Sequence, residues 1–464
     1  MVTNPANDGE RPKDPASSRA AATAIVERLR RAGHEALFVG GCVRDILRGI
    51  EPADYDIATS ARPDQVQALF PRTLPVGAAF GVILVIEGGS RYEVATYRTE
   101  AEYEDGRRPS QVSYATAEAD ARRRDFTING LLLDPETGRI VDHVGGRADI
   151  ARRRVRTIGD PELRFAEDRL RMLRAVRFAA NLDYEIHPAT LAAIRNHASS
   201  ILHVSSERIR DELTKILTAG GAKRGMELLA DTGLLAAILP EVDRLRRLDQ
   251  PARFHPEGDV WRHVLKMLTH LPASPDDHAD ARLAWSVVLH DVGKAGTRTE
   301  DDSGVHFHGH VQKGEEIASC LLRRLKFSAS DTATVLALIH EHMTFMQVRE
   351  MRPGRLKRFL RMPDFSLHLE LHRLDCLGSH GMLDHYDYCR KKLDELTLEA
   401  LHPPRLLSGD DLIDMGFAPG PRFKDMLRAV EDAQLNDRIT TKEEARNFLA
   451  ALALRGENRI LQED

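Results

Sequence analysis

Aromatic residues are scarce. Phe, Trp and Tyr make up 5% of the 464 residues, which leaves few rings on which successive bases of a single strand could stack. Cysteine is scarcer still: Cys42, Cys320, Cys376 and Cys389 form no CxxC pair and no regular spacing. Neither a disulfide framework nor a zinc knuckle is readable from them, and a reducing, cytoplasmic setting fits best. Long apolar runs are missing too. The longest, such as Val82–Ile86 and Leu131–Leu133, fall far short of the ~20 residues of a membrane helix, so the chain is expected not to cross a membrane. The N-terminal stretch VTNPANDGERPKDPASS lacks an apolar segment and reads as a disordered leader rather than a signal peptide. Nor does one sign of charge prevail. With 66 Lys and Arg against 71 Asp and Glu, a net of −5, a uniformly basic coat is excluded and any polyanion site must be local.

What remains is a globular composition, 42% hydrophobic and 30% charged, long enough at ~150 residues per domain for about three domains. From Ser18 to Arg31, Ile25, Val26 and Leu29 recur at helical spacing and Gly33 ends the run as a C-terminal cap would. Short apolar stretches of strand length follow: Ala36–Val39, Tyr55–Ile57, Val82–Ile86 and Tyr92–Tyr97. Past Gly145-Gly146 the pattern turns helical and stays so, with linker signals at Pro240, Pro251 to Gly258, and His402 to Pro404. The expected organisation is α+β: a leader 1–20, a mixed α/β head 21–146, a helical segment 147–245, a His-rich helical module 255–395 and a helical tail 400–464.

Within the head, the strand ending at Val39 runs into Gly40-Gly41 and a short helix whose first turn carries Arg44. Free backbone N–H groups, a glycine that admits close approach and a forked guanidinium together suit a phosphate. Asp54-Tyr55-Asp56 follows one strand's reach downstream. Residues two apart on a strand share a face, so both carboxylates can grip a hard divalent cation while Tyr55 and Ile57 face the other way. Carboxylates beside a phosphate cradle suggest Mg-dependent phosphoryl chemistry, with Glu93 a candidate third carboxylate. The local polyanion site lies further on. Between Arg147 and Phe178 stand ten arginines and no lysine against five acids, a +5 segment. Its apolar face is drawn by Phe165, Leu170, Leu173, Val176 and Phe178, and Asp168, Arg171 and Arg174 are expected at i, i+3 spacing along one helix.

The ordered runs Gly40-Gly41-Cys42-Val43-Arg44-Asp45, Asp54 and Asp56, Arg107-Arg108-Pro109, Arg123-Arg124-Asp125-Phe126-Thr127-Ile128-Asn129 and Glu167-Asp168-Arg169-Leu170-Arg171 resemble the head signature of the bacterial class II CCA-adding enzymes and poly(A) polymerases. The resemblance implies a polymerase beta-like nucleotidyltransferase head followed by an all-α neck, body, HD domain and tail. It implies that Asp54 and Asp56 are catalytic and hold Mg, that Gly41 and Arg44 hold nucleotide, that Arg124, Arg174 and Arg177 reach phosphate or base, and that Asp125 contacts the sugar. Nine residues past Asp168, Arg177 would lie on roughly the opposite side of an ideal helix, so only its long side chain or a bend could bring it in. The equivalents of Asp168 and Arg171 are implied to read the incoming base. C and A each present an exocyclic amino donor beside a ring-nitrogen acceptor, which a carboxylate and a guanidinium complement, whereas U and G leave groups unpaired.

A second constellation is His263, His290-Asp291 and Asp375 on helical stretches, a donor set suited to Mg or a divalent transition metal. It resembles an HD phosphohydrolase domain, which implies a Mg, Mn, Ni or Co site and phosphatase or 2′,3′-cyclic phosphodiesterase activity. His310 and His340 stand where two-metal members place further ligands, and His306, His308, His342 and His385 read as scattered surface histidines. The tail from Leu407 through Gly416, Gly420-Pro421 and Asn436 to Glu444 is similar to the C-terminal part of CCA-adding enzymes with an HD insertion.

Two features separate CCA addition from poly(A) synthesis. In Val76-Gly77-Ala78-Ala79-Phe80-Gly81, alanines stand where the poly(A) polymerases carry a basic pair. The polar segment from Arg98 to Val112 resembles the family's flexible loop, which assists the switch from C to A. The expected function is addition of C, C and A to the 3′ end of tRNA from CTP and ATP, with the helical middle and tail clamping the acceptor arm through phosphate and shape contacts. The alternatives are a poly(A) polymerase of the same family, or an HD nucleotide hydrolase whose head is a non-catalytic RNA adaptor.

Overall fold

A computed structural model describes residues 15–76, 80–103, 109–251, 258–271, 279–302, 304–397 and 401–460. The described residues fall into two units, one up to Asp243 and one from Arg244 onward.

The first unit opens with the helix Pro15–Arg31, whose apolar stripe Ala22, Ile25, Val26 and Leu29 is fully buried. Six residues of the expected leader are thus helical. Ser18 is buried, and its carbonyl accepts the Tyr92 hydroxyl at 3.1 Å. The helix lies on a seven-stranded sheet of order β3-β4-β5-β2-β1-β8-β9, built from β1 Ala36–Val39, β2 Asp56–Thr59, β3 Thr73–Leu74, β4 Val82–Glu87, β5 Ser90–Thr96, β8 Leu131–Leu133 and β9 Ile140–Asp142. Only β2 and β5 run parallel; the other neighbours are antiparallel. β1 is buried along its whole length, as a strand covered on both faces should be. Its register pairs Val39 with Asp56 on one side and with Leu132 on the other, which sets Asp56 beside the turn into Gly40. Ala78-Ala79, the pair that bears on poly(A) synthesis, lie outside the described residues.

The polar segment expected as a loop is instead framed by a hairpin, β6 Arg98–Tyr103 against β7 Pro109–Tyr114; residues 104–108 lie outside the described set. Thr, Tyr and Val in both arms favour extended backbone, and cross-strand hydrogen bonds satisfy that backbone without a core.

Beyond Gly146 the first unit is helical, with one short parallel ladder of Arg154–Val155 on Glu185–Ile186. The helices Pro161–Glu167, Leu170–Leu182, Ser206–Thr218 and Ala222–Asp231 carry the arginine segment and its packing partners. In the second unit the helices Val260–Leu268, Ala281–Leu289, Ala329–Glu341 and Phe365–Gly378 pack together around Trp285, which is fully buried and edge-on to Phe327 at 5.2 Å. Asp259, Asp280 and Ser328 cap three of these helices, each accepting a first-turn N–H. The tail has its own small core of Leu407, Leu412, Val430, Ala433, Ile439, Ala445 and Leu449.

Candidate active sites

The head site grows from the β1–β2 pairing. Tyr55 and Ile57 are buried, while Asp54 is exposed just ahead of β2 and Asp56 is half-buried at its start. The two-residue alternation therefore sends both carboxylates away from the core. Burial, then the charge of Glu93 across the sheet and that of Asp54, push the Asp56 carboxyl up to about 6, against the pull of Arg124. Three acids crowded at one sheet end, one of them already reluctant to ionise, form a donor set that a hard divalent cation relieves. Gly40 is required here. Its φ is +78°, and a Cβ would stand 3.2 Å from Arg124 Nη1 and 3.8 Å from Asp56 Oδ2. The turn thus brings backbone, guanidinium and carboxylate together.

Arg124 is oriented by Asp120, a buried acid whose Oδ2 accepts from Nε at 3.3 Å and Nη2 at 3.1 Å. Behind it runs a continuous polar network. Arg44 donates to Asp45 and, at 3.0 Å, to Asn129 Oδ1; Asn129 Nδ2 donates to Asp125 at 3.2 Å; Arg174 Nε donates to Asp125 Oδ2 at 2.8 Å; Arg177 Nε donates to Glu212 Oε2 at 2.6 Å. Burial acts to raise the Asp125 carboxyl, but Arg174, Asn129 and the Phe126 N–H hold it below the usual carboxylate range. Phe178 lies under three guanidinium groups, those of Arg44, Arg174 and Arg177, at 5.6, 5.4 and 4.2 Å.

One expectation for the arginine segment is corrected. Asp168, Arg171 and Arg174 do not share one helix: the first helix ends at Glu167, the next begins at Leu170, and Asp168 sits between them with extended backbone. The side chains of Asp168 and Arg171 hold different partners, while the Arg171 N–H donates to the Asp168 carbonyl at 3.1 Å. Asp168 accepts from the Leu170 N–H at 3.1 Å and from Arg208 Nη2 at 2.9 Å, while Arg171, only 6% exposed, donates to Glu167 at 2.6 Å and to the Arg164 carbonyl. The break at Asp168 supplies a bend ahead of Arg177, which stands three residues from Arg174 on the following helix, and both guanidiniums reach the same Glu212.

Sequence reasoning passed over Asp120, Asn129, Glu167, Arg208 and Glu212 as site residues. Only Glu212 carried a clear signal, as an acid standing within the apolar stripe Ile209, Leu213, Ile216. At 4% exposure between two arginines it joins two helices. Glu212→Ala should lower unfolding stability by about 2 kcal/mol, because it leaves the half-buried Arg177 without its counter-charge while Arg174 keeps Asp125; urea denaturation measures this, and a change below about 1 kcal/mol would remove Glu212 from the network.

In the second unit two groups of three ligand atoms each draw together within 4.8 Å: His263, His290 and Asp375, and Asp291, His310 and His342. His263 Nε2 stands 3.1 Å from Asp375, and His290 Nε2 lies 3.2 Å from Asp291, which Lys294 also meets at 2.7 Å. Burial would raise the Asp291 carboxyl, yet Lys294 and His290 hold it well below its ordinary value. Nδ1 of His290, His310 and His342 each faces a carbonyl, of Val287, Phe307 and Ile339, at 3.0, 2.9 and 2.7 Å. Such contacts put the ring proton on Nδ1 and turn the Nε2 lone pair inward, as metal ligation requires. The three Nε2 atoms are buried with no hydrogen-bond partner among the described residues, so the donor set fits a divalent cation. Burial pushes His342 down to about 4, which keeps it neutral. Gly293 allows the approach: a Cβ there would come within 2.0 Å of the His310 carbonyl.

This arrangement corrects one ligand. His340 has a 56% exposed side chain paired with Glu315 at 2.8 Å, outside both groups, whereas His342, expected at the surface, is 2% exposed and inside. The helix Ala329–Glu341 ends between them, and two residues of helical rotation separate outward from inward. His342→Ala should lower bound metal per chain by about tenfold or more at limiting metal, and His340→Ala should leave it unchanged; elemental analysis after dialysis reads both.

Comparison with known proteins agrees with this layout. Residues 36–156 match the Poly A polymerase head domain, residues 183–245 the probable RNA and SrmB-binding site of polymerase A, and residues 260–375 the HD domain. Together these define a nucleotidyltransferase of the poly(A) polymerase type joined to an HD domain. The CCA-adding enzyme of Anoxybacillus flavithermus is 45% identical over 428 residues, covering 91% of this chain and 94% of that protein. That of Geobacillus stearothermophilus is 47% identical over 218 residues, 47% of this chain and 54% of that protein; with several such relatives the matched stretch spans between half and two thirds of their length. A crystal structure of the Bacillus stearothermophilus CCA-adding enzyme in complex with CTP superposes with a TM-score of 0.73 at 28% identity, over 96% of this chain and 100% of that one. The Thermotoga maritima CCA-adding enzyme complexed with tRNA shares the fold, with a TM-score of 0.54 at 18% identity, over 95% of this chain and 97% of that one. The chain belongs to the family of CCA-adding enzymes.

Proposed function

We propose that the protein adds C, C and A, without a nucleic-acid template, to the 3′ end of tRNA from CTP and ATP, releasing pyrophosphate. The observation that carries this reading is the β1–β2 register, which sets Asp56 beside Gly40 and Arg124, next to the Asp125–Arg174–Glu212–Arg177 network. Asp54 and Asp56, with Glu93 behind them, would hold Mg, which supplies a lowered pKa at the attacking 3′-hydroxyl and charge neutralisation on the departing pyrophosphate. Gly41, Arg44 and Arg124 bind the triphosphate, Asp125 the sugar, and Arg174 and Arg177 orient phosphate and base. Asp168 accepts from the exocyclic amine of C or A, and Arg171 donates to the ring nitrogen. Arg208 and Glu167 hold these two groups, so an incoming base exchanges one set of charge-assisted bonds for another.

The helical residues after the head contact the tRNA acceptor arm. We divide the chain into a head to residue 146, a neck and body to about 245, an HD domain 255–395 and a tail from 400, a division supported by the family matches at 36–156, 183–245 and 260–375. No helix among the described residues is long and apolar enough to cross a membrane, and a cytoplasmic site of action suits four free cysteines and a tRNA substrate. At the HD site we assign metal-dependent phosphohydrolase or 2′,3′-cyclic phosphodiesterase activity, using Mg, Mn, Ni or Co. His263, His290, Asp291, His310, His342 and Asp375 provide the ligands.

Incubation with tRNA lacking CCA, each labelled NTP and Mg tests the first reading. Three additions ending at CCA support it; an extended A tract would favour poly(A) synthesis, and no incorporation would leave the hydrolase alone. Asp168→Ala combined with Arg171→Ala should lower discrimination against UTP and GTP by about 100-fold, since a site built to pair with a polar edge rejects the wrong one by leaving its groups unpaired. Unchanged selectivity in single-turnover assays would remove the pair from base reading.

A further inference from the structure

Within the second unit, the helix Pro353–Leu360 of the HD segment, the tail helix Arg422–Leu435 and the connector before Gly409 enclose a cavity of about 440 Å³. Five of its lining residues are cations, Arg358, Arg361, Arg405, Lys424 and Arg428, and only one is an acid, Glu431. Two of the cations are partly neutralised, Arg361 by Glu431 and Arg358 by Asp432. No ion pair is formed by Arg405, Lys424 or Arg428 among the described residues, and all three are exposed. Lys424 and Arg428 stand at i, i+4 on one helix, a like-charge spacing that costs a few tenths of a kcal/mol. Burial, together with the charges of Arg361 and Arg428, pushes the Arg358 guanidinium down despite Glu431. Cations gathered into a concavity at such a cost mark a site whose stable state includes an anion.

The form of the cavity narrows the ligand. Its less exposed cation, Arg361, has a 17% exposed side chain, so an anion that meets it and the rim cations together must enter the pocket. A duplex backbone presents its phosphates on a convex surface and meets only the rim. The remaining wall is aliphatic, with Leu406 and Leu427 facing the same space, and ~300–1,000 Å³ is the ordinary size range of a small-molecule site. We infer that this pocket binds an oligophosphate anion, the phosphate chain of a nucleoside triphosphate or free pyrophosphate, at a site separate from the one in the head. All of its lining residues belong to the second unit, so binding there is independent of nucleotide incorporation in the head.

Equilibrium dialysis of the full chain against labelled ATP and, in a second arm, labelled pyrophosphate tests it, comparing wild type with the combined variant Arg405→Glu, Lys424→Glu, Arg428→Glu. The expected result is two equivalents bound per wild-type chain in at least one arm and one in the variant; the arm that shows it identifies the source of the phosphates. Should the triple variant fail to fold by circular dichroism, Arg428→Ala alone should weaken the second equivalent by about tenfold or more, as loss of a charge-assisted contact does. One equivalent in wild type in both arms overturns the proposal. So does a variant that keeps both equivalents while its affinity for duplex RNA loses salt dependence, because the cations would then serve an RNA backbone.

Discussion

Asp56→Asn will abolish nucleotide incorporation and, without metal at neutral pH, leave the protein more stable than the wild type. The first effect follows from position. Asp56 is fixed by the β1–β2 ladder beside Gly40 and Arg124, and a carboxylate that anchors an ion worth several kcal/mol in the transition state should cost about a thousandfold or more in rate when neutralised. The second follows from the Asp56 carboxyl, raised from 3.8 to about 6 by burial and by Glu93 and Asp54. Between these values the folded chain binds more protons than the unfolded one, so this residue's contribution falls as pH rises through that window and is unfavourable above it. Asn removes the penalty, about 3 kcal/mol from the full shift and about 1–2 kcal/mol once solvent screening of a half-buried carboxylate is allowed for. Thermal melts in EDTA at pH 7.5 and at pH 4 check the sign: the variant's advantage should be present at the first and vanish at the second. Mg dependence carries the same signature, since below pH 6 protons compete with the cation and the apparent Mg requirement should rise about tenfold per pH unit. A variant that loses activity and melts lower at neutral pH would mean that Asp56 is structural.

The second large effect belongs to the other unit. Asp291→Asn should abolish metal-dependent phosphohydrolysis and lower bound metal by about tenfold or more, with CCA addition retained. Asp291 meets His290 and Lys294 directly and faces His310 and His342 at 3.7 and 4.0 Å, so it is the carboxylate around which these side chains are arranged. Asn keeps the shape but not the charge, and the buried Lys294 retains Gln250 at 2.7 Å, which limits the cost of leaving that cation without its counter-charge. His263→Gln removes a ligand from the other group without touching Lys294 and should give the same loss of hydrolysis. Measured on 2′,3′-cyclic nucleotides and p-nitrophenyl phosphate with Mg, Mn, Ni or Co, loss of hydrolysis together with incorporation would show that the two activities share one site. Persistence of hydrolysis in both variants would remove the metal site from the chemistry.

Much of this was legible in the chain itself. The Gly-Gly turn, the alternating Asp-Tyr-Asp, the change to helical periods after Gly145-Gly146 and the H…HD…D order are local patterns, and local patterns follow from backbone geometry: two-residue alternation in a strand and 3.6 residues per turn in a helix. The departures arose where a rule of period met an unseen break. Asp168 was counted on a helix that starts two residues later, so the i, i+3 row with Arg171 and Arg174 loses its first member. His340 and His342 were distinguished wrongly because their helix ends at Glu341. The segment from Arg98 was read as loop because a hairpin satisfied by its own backbone needs no apolar alternation.

Sequence by itself determined the family, the α+β class, the carboxylate pair and the donor chemistry of the second centre, because each rests on residue types held at short, fixed separations. Tertiary structure alone decided that Arg208 and Glu212, on a helix that follows the arginine segment, hold Asp168 and Arg177, that His342 rather than His340 faces Asp291, and that five cations of the second unit, three of them from the tail, line one cavity. Those choices depend on which helix faces are pressed together across some 30 to 80 residues of chain. Burial then enforces them, since an ion inside the protein is tolerated only where its counter-charge or ligand has been brought to meet it.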